Sequence, residues 1–281
     1  ITAFQDFLRE YPDTKYASKV YALMADMYMS SKNYKAAYEA LAEVKQPDAK
    51  MQETMQYLRY QMGIDAFLQG HMEETIHWMT QVINQEDKSS TYKTEAYYFR
   101  AESQYSIQKY SACIEDIEAY NNQPNVKQSK NYTNSIYLHG YTLFNQQSFK
   151  QAEYIFRQYI AIADSSKNMY ADAMNRLGDC LFSSRQFDDA VATYERVVQL
   201  ASNGVDYALF QQGYALGLLH RYPEKIQKME QVSSRYPRSD YADDALYETA
   251  RAYLQLEQND NAIKIYTRIL TEYPNSNKAS K

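Results

Sequence analysis

His71, Glu74 and His77 fall at i, i+3 and i+6, close enough on a helix to suggest metal chemistry. Glu74-x-x-His77 is half of the pairing by which facing helices hold two irons, and a working site needs a second such pair opposite. His139 and His220 stand in no comparable Glu-x-x-His pairing. The three residues therefore read as surface groups at a helix start, and no metal or cofactor is expected. Asp188-Asp189 and Glu73-Glu74 are adjacent acids, but each pair falls in a first helical turn, where carboxylates complement the helix dipole. Cys113 and Cys180 are too few for a thiolate cluster, and both occupy small-residue helix positions, so they read as packing thiols. There is no glycine-rich phosphate loop and no Ser or Cys nucleophile motif, so catalysis is not expected.

Seven Gly and six Pro in 281 residues leave few breakers, which favours long helices over a many-turned sheet. A hydrophobic content of 45% with 23% charged residues suits a buried core. A net charge of −5 without a basic run argues against a nucleic-acid partner held through phosphates. No transmembrane segment is expected, because no run approaches the roughly 20 apolar residues that cross a bilayer. Ile1 to Glu10 also lacks the basic-then-apolar order of a signal peptide.

Internal self-similarity decides the fold. Small residues recur at Ala25, Gly63, Ala101, Gly140, Gly178, Gly213 and Ala250, with gaps of 38, 38, 39, 38, 35 and 37 residues. A second slot follows twelve residues after each: Ala37, Thr75, Cys113, Ala152, Ala190, Lys225 and Ala262. Sixteen residues after the first slot comes a large side chain: Leu41, Met79, Ile117, Phe156, Tyr194, Met229 and Tyr266. Helices joined by a short turn interdigitate only where small residues on one admit large ones from the other. The fifth repeat shows the helical period, with Met174, Leu177, Gly178 and Leu181 on one stripe and Phe187, Ala190, Val191, Tyr194 and Val197 on the other. Ser183, Ser184 and Arg185 form its turn. Pro12, Pro47, Pro124, Pro237 and Pro274 fall at repeat junctions, and Pro223 falls near a helix start.

Leu177-Gly178, Leu181, Phe187, Ala190 and Tyr194 resemble the tetratricopeptide pattern of Leu-Gly, Tyr, aromatic, Ala and Phe at the same offsets. The resemblance runs along essentially the whole chain. It implies an all-α fold, a right-handed α-α superhelix (a TPR-like solenoid) of about seven helix-turn-helix repeats. These are expected at roughly 14–46, 47–86, 90–123, 128–165, 167–203, 204–237 and 238–274, in a single domain over 1–281. Residues 1–11 read as a second helix without its first, and 274–281 as an opening repeat, which suggests an excerpt from a longer array. Three junctions share Tyr-Pro-x-Thr/Ser, at Tyr11 to Thr14, Tyr236 to Ser239 and Tyr273 to Ser276, where the hydroxyl is expected to cap the next helix. This signature is similar to tetratricopeptide proteins of the bacterial cell envelope and implies an envelope or periplasmic setting. Lys225 breaks the second slot, so the sixth repeat should pack loosely or its lysine should snorkel to solvent. Thr75, Arg59 and Gln104 are further departures.

In such solenoids the first helices line the concave face where ligands bind. Three positions before the first slot stand Tyr60, Tyr98, Tyr137, Asn175 and Phe210; one after stand Tyr141, Asp179, Tyr214 and Arg251; four after stand Phe67, Tyr105, Phe144 and Phe182. These offsets make one helical stripe. The expected function is a protein- or peptide-binding scaffold whose groove is formed by Tyr60, Phe67, Tyr98, Tyr105, Tyr137, Tyr141, Phe144, Asn175, Phe210 and Tyr214. Tyrosine offers a broad apolar face and one polar tip at low entropic cost. The corresponding Asn134, Asn175 and Arg251 form no Lys–Asn cluster of the kind that grips a terminal carboxylate. With 30 tyrosines in the chain, such a stripe also arises from packing alone. Two other classes stay open: a glycan-binding helical-repeat protein, for which the lone Trp78 on a second helix is a poor platform, and an α/α-toroid glycoside hydrolase, which needs paired carboxylates on long loops.

Overall fold

The computed structural model describes residues 1–85, 91–166, 168–201 and 203–279, and among them every regular element is helical. The expected repeat boundaries at 86, 90 and 167 lie outside these residues. α1 (Thr2–Glu10) precedes seven helical hairpins: α2 (Ala17–Ser30) with α3 (Tyr34–Ala42), α4 (Ala49–Leu68) with α5 (Met72–Ile83), α6 (Thr91–Ser106) with α7 (Tyr110–Asn121), α8 (Tyr132–Asn145) with α9 (Phe149–Ile162), α10 (Asn168–Ser183) with α11 (Phe187–Leu200), α12 (Val205–Leu218) with α13 (Tyr222–Arg235), and α14 (Ala242–Gln255) with α15 (Asn259–Glu272). A single 3-10 turn, Val126–Gln128, lies between α7 and α8. The consecutive packing of helices is that of a tetratricopeptide solenoid. The chain divides into two compact units, Ile1–Ser135 and Ile136–Lys281, built by the same local rule.

That rule is a hole filled from the facing helix. In the first unit a Cβ placed on Gly63 would lie 2.6 Å from Met79 Cε. In the second, a Cβ on Gly140 would lie 2.7 Å from Phe156 Cε1 and one on Gly213 would lie 2.9 Å from Met229 Cε, while at Gly178 the Tyr194 ring fills the space. Each intruder stands sixteen residues after its hole. All seven residues of the second slot are buried as well. Thr75 satisfies its hydroxyl by donating to the His71 carbonyl at 3.2 Å, so the second repeat holds the common register. Arg59 lies over the Tyr38 ring at 5.2 Å from its centroid.

Lys225 departs from expectation. It neither loosens the repeat nor reaches solvent: it is 7% exposed and its Nζ donates to Glu248 Oε2 at 2.5 Å. Room comes from Gly217, where a Cβ would stand 3.0 Å from Lys225 Cδ. A carboxylate one helix away replaced the water that snorkelling would have sought.

The turns within hairpins share a feature that their composition hides. Seven residues after each first slot the backbone is left-handed, at Lys32, Gly70, Gln108, Gln147, Arg185, His220 and Glu257, with φ between 58° and 79°. The next amide then donates to the carbonyl five residues back, as Asn33 does to Tyr28 and Gln186 to Leu181, both at 2.9 Å. This is a Schellman closure, for which glycine is the unstrained choice, yet glycine stands at Gly70 alone.

The junction hydroxyls do not cap helices as expected. α14 starts at Ala242 without a side-chain cap. Ser239 Oγ instead accepts from the Tyr241 amide at 3.2 Å and donates to Asp206 Oδ2, one repeat back, at 2.6 Å. Ser276 repeats this with the Lys278 amide at 3.0 Å and Asp243 Oδ2 at 2.5 Å. Tyr241, not the serine, stands at the N-cap of α14, and the serine hydroxyl clasps the preceding first helix.

Candidate functional site

The expected stripe falls in both units. In the first, Tyr60 and Phe67 on α4 pack on Phe99 of α6, with ring centroids 6.4 and 5.2 Å apart. Tyr60 is half-buried, and desolvation, followed by Glu95 and Tyr92, pushes its hydroxyl up to about 12. Tyr98 is 5% exposed and packs on Tyr120. Burial, then Glu102, drives its hydroxyl far above the usual tyrosine range. Tyr105 packs on Tyr110 of its own hairpin at 5.8 Å and stays half-buried.

In the second unit the stripe meets charge. α8 presents Tyr137, Tyr141 and Phe144 at i, i+4 and i+7, and α10 answers with Asp172, Arg176 and Asp179 at the same spacing. Asp172 Oδ2 accepts from Tyr137 at 2.7 Å and also from Tyr141. The Arg176 guanidinium lies 5.5 Å from the Phe144 centroid and 4.9 Å from that of Tyr207, with Nη1 2.6 Å from Asp179 Oδ2. Asp179 Oδ1 takes the hydroxyls of Tyr194 at 2.6 Å and Tyr207 at 2.8 Å. Burial raises the Asp179 carboxyl even though Arg176 and both tyrosines oppose it. Asn175 is 3% exposed, and its Nδ2 donates to the Gly204 carbonyl at 3.3 Å. Tyr137, Tyr141 and Asn175 are thus committed to partners within the unit.

Further along, the stripe opens. Phe210 stacks on Tyr241 at 5.3 Å, and Tyr214, 40% exposed, sits 6.0 Å from Phe182. Tyr214 is the exposed member of the expected set, and it edges a half-open cleft of about 260 Å³ among α12, α13 and α14. The cleft is also lined by Leu218, Tyr222, Lys225, Glu248, Arg251 and Gln255. Glu248 links its two cations, taking Lys225 on Oε2 and Arg251 Nη1 on Oε1 at 2.8 Å. Burial opposes ionisation of Glu248, but Lys225 and Arg251 outweigh it and hold the carboxyl below its ordinary range. The Arg251 side chain is 56% exposed, so one cation of the trio faces the opening.

Sequence reasoning missed Asp172, Arg176 and Glu248. The signal was an acid–base–acid run at helical spacing inside α10, most of whose residues are buried. A charge at such a position requires a partner.

Models of the tetratricopeptide repeat match residues 137–205 and 244–276. This is a tetratricopeptide-repeat protein. Solved structures similar to it include a MamA protein (17% identity, TM-score 0.55, covering 64% of this chain and 91% of that one). A second is MamA 41-end from Desulfovibrio magneticus RS-1 (15% identity, TM-score 0.54, 66% of this chain and 97% of that one). A third is YrrB, described as a TPR protein with an unusual peptide-binding site (18% identity, TM-score 0.54, 72% of this chain and 95% of that one). At these identities the likeness shows the tetratricopeptide fold alone. No curated protein matches the sequence.

The metal reading of the tetratricopeptide chain gains no geometry. His71 Nδ1 stands 3.7 Å from Glu74 Oε2, and His77 pairs with Gln81, on an exposed face. Among the described residues no group of three His, Cys, Asp or Glu is placed to hold a metal ion. Among them also, no helix is long and apolar enough to cross a membrane.

Proposed function

We propose that this tetratricopeptide protein is a non-enzymatic scaffold that binds an extended or helical segment of a partner protein along its first-helix stripe. The observation that carries the reading is the cleft at Tyr214 and Arg251, where an exposed ring and a solvent-facing guanidinium meet between repeats. An aromatic face beside a charged tip suits a peptide, which can offer apolar side chains and polar or charged groups side by side. The similarity to YrrB, a TPR protein with an unusual peptide-binding site, supports the same reading. Phe210 and Tyr214, with Phe144, are the proposed contact residues in the second unit, and Tyr60, Phe67 and Tyr105 in the first. Tyr98, Tyr137, Tyr141 and Asn175 hold that surface in place from behind.

The test is a random-peptide display selection against the whole chain, followed by affinity measurement of the enriched peptides. Peptides bound at this cleft should weaken at least about tenfold with Tyr214→Ala, as truncation of an interface anchor does. A selection that enriches nothing, or only peptides indifferent to both Tyr214→Ala and Arg251→Ala, defeats the proposal.

A further inference from the structure

Asn203-Gly204 links the fifth repeat to the sixth, and neither residue lines the cleft at Tyr214, so the pair stands apart from the peptide reading. It is the chain's one Asn-Gly pair. Asn203 is exposed, and Gly204 is the N-cap of α12 with its backbone left-handed at φ 81°. Glycine is fixed there twice over, by that angle and by Asn175 Nδ2, which stands 2.9 Å from where a Cβ would lie. The Gly204 carbonyl accepts from the Ala208 amide at 3.0 Å and from Asn175 Nδ2 at 3.3 Å, so it anchors the start of α12 to α10. Its amide nitrogen is not held: among the described residues it donates to no acceptor. The two Asn-Ser pairs differ in this respect. The Ser135 amide donates to the Asn131 carbonyl at 2.8 Å, and the Ser276 amide to the Tyr273 carbonyl at 2.9 Å.

The amide nitrogen that follows an asparagine can close a five-membered ring on that residue's side-chain carbonyl. Closure is easiest where the nitrogen is free of a hydrogen bond and no Cβ crowds it, and Gly204 meets both conditions. We propose that Asn203 is a site of self-modification, at which the chain deamidates through a succinimide and changes the linkage between its fifth and sixth repeats. The Gly204 nitrogen gives its proton to solvent base and attacks Asn203 Cγ. The new C–N bond forms, the Cγ–Nδ2 bond breaks, and Nδ2 leaves as ammonia with a proton taken from water. A water molecule then opens the ring at one of its two carbonyls. Opening at Cγ restores the ordinary main chain and leaves an aspartate. Opening at the main-chain carbonyl gives an isoaspartyl link, in which the backbone runs through Cβ and Cγ and is one carbon longer. Both products add one carboxylate just ahead of α12, at the positive end of its dipole, where a negative charge is favourable. The isoaspartyl link also draws the Gly204 carbonyl away from Asn175 and Ala208, which loosens the start of α12.

The test ages the full chain in mildly alkaline buffer and maps it by mass spectrometry with electron-transfer fragmentation, which separates aspartyl from isoaspartyl products. A gain of about 1 Da should appear at Asn203 before it appears at Asn134 or Asn275. Its rate in the folded chain should stay within about tenfold of that in a free peptide of residues 198–209, because no hydrogen bond protects the amide. Asn203→Gln, whose longer side chain closes a less favourable six-membered ring, should leave the chain folded and stop the conversion at this position. Hydrogen exchange at residues 208–210 should quicken in the isoaspartyl fraction and stay near the wild-type rate in Asn203→Asp, which adds the charge alone. A folded chain slower than the stated limit overturns the proposal, as does conversion that begins at Asn134 or Asn275. So does an isoaspartyl fraction whose α12 exchanges as the unmodified chain does.

Discussion

In the fifth repeat the slot twelve residues after Gly178 holds Ala190, and in the sixth the same slot holds Lys225; both are buried, at 0% and 7% exposure. The fifth repeat keeps its small slot and fits Tyr194 into Gly178. The sixth accepts a long cation by opening Gly217 beneath its stem and setting Glu248 at its tip. A repeat position is therefore defined less by residue size than by whether its neighbours supply volume and, where needed, countercharge. The two solutions differ in what breaks them. One fails through overcrowding, the other through an unanswered charge.

The largest expected effect is in the sixth repeat. Glu248→Ala strands a buried lysine and should cost about 3–5 kcal/mol in chemical denaturation. Pairing it with Lys225→Met should recover part of that loss, because the unanswered charge is removed while the volume lost at Glu248 is not restored. A single-substitution loss below about 1 kcal/mol would show that Lys225 is hydrated and that the two repeats are not different in kind. Next comes the fifth repeat: Gly178→Ala should cost about 1–3 kcal/mol, since the Tyr194 ring in its way is tethered to Asp179. Gly213→Ala meets the flexible end of Met229 and should cost less, with alanine's better helix propensity offsetting part of the strain.

Acid should separate the repeats further. The folded-state carboxyl of Glu248 lies below its ordinary value, so its contribution is full above the usual carboxylate range and is lost as pH falls through the lowered value. The stability of the wild type should therefore decline below about pH 4 more steeply than that of the Glu248→Gln, Lys225→Met double variant, followed by urea unfolding across pH. The smallest effect is in the turns, where both repeats use a left-handed residue, Arg185 and His220. Arg185→Gly and His220→Gly should each stabilise by about 0.5–1 kcal/mol, less than the intrinsic αL penalty because glycine gains entropy when unfolded.

Much of this was legible in the sequence because a hole and its filler leave a mark of fixed spacing: Gly63 with Met79 and Gly140 with Phe156 are readable from their sixteen-residue separation. Lys225 was visible as an exception, but not its resolution, since Glu248 lies 23 residues away on another helix and nothing local pairs them. The turns were placed but not understood, because Gln147 or Glu257 carries no compositional sign of a left-handed backbone. The serines at the junctions were seen as caps because capping is a local rule, whereas Asp206 and Asp243 answer them from 33 residues upstream. The tyrosine stripe was found as a pattern, yet which rings stay open depends on partners such as Asp172, whose identity the spacing of the tyrosines does not reveal.

The Ser239–Asp206 and Ser276–Asp243 clasps have a mechanical consequence. The first ties the start of the seventh hairpin to α12 and the second ties the segment after α15 to α14, so a load along the chain meets a fastener at these two boundaries. Pulled from its end, such an array yields link by link. With 35 to 39 residues per repeat, each link that lets go lengthens the tether by roughly 120–130 Å, so tension is shed in steps.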